Sequence, residues 1–142
     1  MKKLNKILVL TLVGGLFLFA CSKEKTIKKH ITGAWTATMI TIVKTDSSGV
    51  VDTETDDSKN DITFNDDGTG TAHISSSGSS RTVIPDNFTW SNTDETLTID
   101  DDDSSDTFVF DIIEESKTNM KIKNTRDDQG TQVETTIEMS KT

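Results

Sequence analysis

Asp61-Ile62-Thr63-Phe64-Asn65-Asp66-Asp67-Gly68-Thr69-Gly70-Thr71-Ala72-His73-Ile74 reads as two short strands around a four-residue polar turn. Ile62 and Phe64 alternate with Asp61 and Thr63, the period of two in which successive side chains face opposite sides of a strand. Asn65-Asp66-Asp67-Gly68 is turn chemistry, with glycine where the backbone reaches positive φ at small steric cost. Thr69 resumes the alternation, with Gly70, Ala72 and Ile74 on one face. This hairpin sets the period in which its flanks are read.

Toward the N-terminus, Trp35, Ala37 and Met39 alternate with Thr36, Thr38 and Ile40, predicting a long first strand to about Val43. Asp46-Ser-Ser-Gly49 is a turn, and Val50 to Thr55 a weak second strand. Toward the C-terminus, Ser75 to Ser80 is a polar tip. Arg81 to Ile84 and Phe88-Thr-Trp90 make a strand broken at Pro85, the only proline, which suits an edge or a bend. Leu97 to Ile99, Thr107 to Ile113, Met120 to Asn124 and Thr131 to Met139 complete the set. Asp94-Glu95, Asp100 to Asp106, Glu114 to Thr118 and Arg126 to Gly130 are the turns between them. The fold class is all-β: an antiparallel meander of about eight to ten strands, with no helix within the domain. Such a meander closes as a barrel or packs as a sandwich, and closure removes exposed edges. Trp35, Ala37, Met39, Phe64, Phe88, Trp90, Phe108 and Phe110 fall on the expected inward face, with Trp35 plugging the base.

The first twenty residues follow a different logic. Lys2, Lys3 and Lys6 precede an uncharged apolar run, Ile7 to Ala20, too short to cross a bilayer comfortably. The sole cysteine, Cys21, stands at its end. The chain therefore divides into a leader over 1–20, an acylated cysteine and basic tether over 21–30, and one β-domain over 31–142. A transmembrane anchor that happens to contain a cysteine is the alternative. With no second cysteine, disulfides and thiolate metal sites are excluded. Removing residues 1–20 takes away three lysines and no acids, so the formal charge of −9 becomes −12. Residues 31–142 hold 23 acidic and 8 basic side chains, a net of −15. That sign opposes nucleic-acid binding, which requires a basic face. A basic tether beside an acidic domain suits a module held near lipid headgroups, although acidity also serves solubility.

Leu18-Phe19-Ala20-Cys21 resembles the lipobox of bacterial lipoproteins, which implies cleavage before Cys21 and acylation of its thiol. Ser22, in place of Asp, resembles the rule for sorting onward to the outer membrane. Ile31-Thr32-Gly33-Ala34-Trp35 resembles the Gly-X-Trp opening of lipocalin-like (calycin) domains. The hairpin from Asp61 to Thr71, then Phe88-Thr-Trp90 and Leu97-Thr-Ile99, is similar to the following strands of lipocalin-like lipoproteins of Gram-negative bacteria. The resemblance covers essentially residues 31 to 140. It implies a barrel that binds a small apolar ligand or an envelope partner.

The candidate apolar ligand site is Trp35, Phe88, Trp90, Phe108 and Phe110, set against a plain core made of the same residues. His73 alternates with Ala72 and Ile74 and so faces outward; His30 lies in the tether. With one domain histidine and no nucleophile elbow, no Ser-His-Asp or histidine metal site is expected. The chain reads as a non-enzyme without a cofactor. Asp100-Asp-Asp-Asp-Ser-Ser-Asp106 concentrates five carboxylates, so Asp100, Asp102 and Asp106 are calcium candidates, since Ca²⁺ takes six to eight oxygens. A solvated acidic loop is the other reading, and the Gly and Glu of an EF-hand loop are missing. Two functions stand side by side: an envelope-anchored binding module, and an accessory lipoprotein with a filled barrel touching another envelope protein.

Overall fold

The computed structural model describes residues 23–74 and 83–142. The leader, Cys21, Ser22, the serine tip, Arg81 and Thr82 lie outside the described residues.

Among the described residues nine strands follow one helix: α1 (23–31), β1 (Gly33–Thr45), β2 (Val51–Asp56), β3 (Asn60–Phe64), β4 (Thr69–His73), β5 (Asn87–Asn92), β6 (Thr96–Asp101), β7 (Thr107–Glu115), β8 (Asn119–Asp128) and β9 (Thr131–Lys141). Every pairing is antiparallel, and neighbours in the sheet run β2-β1-β3-β4-β5-β6-β7-β8-β9 with β9 returning to β1. Eight strands thus close a barrel. Strand β1 shares one edge between two partners: Gly33 to Ala37 pair with β3, and Ile40 to Thr45 pair with β2. The break between β2 and β3 is local polar chemistry. The Asp56 carboxylate accepts from the Ser58 amide at 2.8 Å, and the buried Asn60 amide donates to the Ser58 carbonyl at 2.9 Å.

Alternation places Trp35, Ile62, Phe64, Phe88, Leu97, Ile99, Phe110, Ile122 and Ile137 in one core at 0–1 % exposure. Burying each such side chain contributes roughly 1.5–3 kcal/mol. Met39, expected inside, is 39 % exposed. The β1–β9 register shifts between Ala37 and Met39, a bulge that moves the inward positions to Ile40 and Ile42. Phe108 is only partly buried, packed against the core with Ile74, Val83 and Ile112.

Other expectations shift in detail. Strand β8 runs on to Asp128, leaving Gln129-Gly130, both at positive φ, as a two-residue turn. Residues 83–86 are not strand; Ile84 and Pro85 are buried there in an irregular approach to β5. Residues 23–30, read as tether, are helical, and the helix runs on through Ile31 at the start of the expected domain. Ile27 and Ile31 of α1 are 5 % and 0 % exposed and belong to the core.

The two barrel ends differ. The α1 end collects the start of β1, the end of β9, and the β3–β4, β5–β6 and β7–β8 turns. The loop end carries the β1–β2, β4–β5, β6–β7 and β8–β9 connections.

Candidate functional site

The aromatic residues proposed from sequence occupy two different settings. Trp35, Phe88 and Phe110 are in the core, Trp90 closes it at the α1 end, and Phe108 is at the loop end, half-buried. Phe64, missed as a site candidate, joins two of them. Its ring meets Phe88 edge-on at 5.5 Å between centroids and Trp90 at 5.4 Å, the favoured T-shaped geometry. Gly70 makes this possible, for a β-carbon there would lie 2.2 Å from the Phe88 ring.

Both indole N–H groups are committed. Trp90 Nε1 donates to the carbonyls of Asn65 at 3.1 Å and Thr69 at 3.0 Å, fastening the core to the β3–β4 turn. Trp35 Nε1 donates to the Ile31 carbonyl at 2.6 Å, on the last turn of α1. Among the described residues Trp35, Phe64, Phe88 and Phe110, at 0–1 % exposure, are packed closely into the core. Ile74, Val83 and Phe108 offer the partly covered apolar surface at the loop end.

Helix α1 is fixed to its end of the barrel by polar contacts as well. Lys141 Nζ donates to the carbonyls of His30 at 2.8 Å and Thr32 at 2.7 Å, and lies 5.1 Å above the Trp35 ring. A cation there satisfies carbonyls that a helix C-terminus leaves open. His30 Nδ1 contacts the Glu115 carboxylate, Lys23 pairs with Asp94 at 3.6 Å, and Lys28 sits 5.8 Å over Trp90. The signal for this helix was present in sequence: Ile27 and Ile31 stand at i, i+4 among good helix formers.

At the loop end the acidic β6–β7 segment folds on itself. Asp100 accepts from the Thr107 hydroxyl at 2.6 Å; Asp101 accepts from the Asp103 amide at 2.8 Å and the Ser104 hydroxyl at 2.9 Å. Among the described residues no three His, Cys, Asp or Glu side chains converge as a metal set, so Asp100, Asp102 and Asp106 are not brought together as ligands. A polar cleft of about 360 Å³ opens between the β1–β2 and β8–β9 tips, beside Asp46, Arg126, Asp127 and Gln132. His73 is exposed on β4, as its parity predicts.

Three turns repeat one device. Asp46, Asp56 and Asp67 each accept from the hydroxyl and amide two residues on, at Ser48, Ser58 and Thr69. The hydroxyl bond is the largest cause holding each carboxyl below its ordinary value.

Two comparisons with known proteins bear on the arrangement. A family model described as a lipocalin-like domain matches residues 31–122, from the end of α1 to the middle of β8. No curated protein matches the chain.

Proposed function

The chain belongs to the lipocalin-like domain family, and from that premise we propose a non-catalytic binding module of the bacterial cell envelope, held at a membrane by acyl chains on Cys21. Lipocalin-like domains are generally binding proteins rather than enzymes, typically for small hydrophobic ligands. The leader over 1–20 and its cysteine support the envelope assignment. Two or more acyl chains hold a protein durably where one does not, since each buried methylene contributes about 0.8 kcal/mol. Ser22 supports the outer membrane as the destination.

The packing of the interior carries the choice of what is bound. With Trp35, Phe64, Phe88 and Phe110 at 0–1 % exposure, a ligand could enter only by displacing close-packed side chains. Recognition then falls to the outer surface and the loop end, toward another envelope protein. Titrating the acylated protein with a fatty acid tests this through tryptophan emission. A flat response agrees with a partner-binding barrel, and a saturable change at one molecule per chain reverses the choice. Mass spectrometry of the N-terminal peptide tests the anchor: an unmodified thiol with residues 1–20 attached would end the envelope assignment.

A small apolar ligand is the second reading, favoured by Ile74, Val83 and Phe108 standing partly uncovered against the core. A shallow site there requires no core displacement. Phe108→Ala would then weaken fatty-acid binding, whereas Phe110→Ala would first unfold the barrel.

A further inference from the structure

We propose that the α1 end of the barrel is a docking face for an anionic lipid surface, so that the acylated protein stands with α1 against the bilayer and its acidic loop end outward. This rests on the membrane anchoring proposed above.

The helix decides which charges face away from the fold. Ile27 and Ile31 point into the core, and at 3.6 residues per turn Lys25 and Lys29 lie on the opposite side. Both are exposed, and among the described residues neither makes an ion pair. Of the other cations here, Lys23 pairs with Asp94, Lys28 lies over Trp90 and Lys141 holds the carbonyls of His30 and Thr32, while Lys117 stands exposed on the β7–β8 turn. Of the acids at this end, Asp94 and Glu115 are paired, and Asp67 is bound by Thr69 with Lys28 nearby. Asp66 and Glu95 stand exposed on flanking turns, and Glu24 stands exposed on α1 itself. The face of α1 turned away from the core therefore carries the lysine pair Lys25 and Lys29.

Connectivity brings that pair to lipid. Two peptide steps from Cys21 to Lys23 reach at most about 7 Å, so acyl chains on Cys21 would hold the start of α1 beside the headgroups. The opposite end is the wrong sign: Asp46, Asp102, Asp103, Asp106 and Asp127 are exposed there. Along β9 the loop end is up to roughly 35 Å away, several times the screening length of about 8 Å at physiological ionic strength. An upright posture thus takes the acidic loops out of the surface field. A lysine near an anionic surface favours contact about fivefold, and two about thirtyfold.

The test uses the full acylated chain in vesicles carrying a dansyl-headgroup lipid, either all phosphatidylcholine or with added phosphatidylglycerol. Trp35 and Trp90 are the only tryptophans and both flank α1, so energy transfer to dansyl reads the closeness of this end. Transfer is expected to be stronger on the anionic vesicles and to fall with added salt. In Lys25→Gln/Lys29→Gln the docked-to-undocked ratio should drop about thirtyfold. Lys121→Gln/Lys123→Gln, on the barrel wall, should leave it unchanged. Equal transfer on both vesicles, or equal transfer in the helix double variant, overturns the docking. Flotation separates the two proposals. A chain that floats with the vesicles but shows charge-blind transfer loses the docking alone, while one that stays behind with an unmodified Cys21 loses the anchor and the docking with it.

Discussion

Gly70 and Phe88 are cross-strand partners on β4 and β5, and the ring lies where any other residue would put its β-carbon. Gly70→Ala should therefore cost about 1–3 kcal/mol by overpacking, read as a lower urea midpoint with an unchanged slope. The turn aspartates give a pH prediction. Hydroxyl and amide bonds hold Asp46, Asp56 and Asp67 below the ordinary aspartate value of 3.8. Their folded pKa lies below the unfolded one, so their stabilisation is complete above 3.8 and disappears as pH falls through the lower folded values. Asp67→Asn should flatten that acid limb in denaturation measured at successive pH values, and an unaltered limb would refute the assignment. Alternation made most inward residues legible in sequence. Met39 was not, because a bulge inserts one residue without any mark such as glycine or proline. Phe64 was legible as core but not as the ring that joins Phe88 and Trp90, since that role depends on strands distant in sequence.

Helix α1 is too short to persist alone in water; the barrel end it covers makes it stable. Ile31→Ala should cost about 2–5 kcal/mol and shift tryptophan emission to the red, because the Trp35 indole loses its seat under the helix. Lys141→Gln should cost about 1 kcal/mol, through open carbonyls at the helix end. Its specific mark is faster amide exchange in α1 than in β3 or β4. The four lysines of α1 disguised it as a tether: charge dominated the reading of 23–30, and two isoleucines one turn apart are a faint signal without the surface they cover. The hairpin strands were more readable, since their turns use Asp, Asn, Ser and Gly in patterns that act locally. The true length of β8 was not readable, because Asn124 to Asp128 are polar and owe their strand form to pairing with β9.

Closure of the sheet is a property of the whole molecule that no segment announces. The sequence pattern allowed a sandwich or a barrel, and the ten-pair register between β1 and β9 makes it a barrel. A net of −15 over residues 31–142 in so small a body repels itself. Added salt should raise the thermal midpoint until the charges are screened, while uncharged osmolyte at equal osmolality leaves that part of the response absent. The same first-to-last pairing has a consequence for biogenesis. Strand β1 forms its longest ladder with a partner some hundred residues downstream. In a chain exported as proposed, the ring therefore cannot shut while β9 is still inside a translocation channel. Until then the chain is a set of unfinished hairpins, pliable enough to thread, and the slow non-local step is deferred to the far side of the membrane.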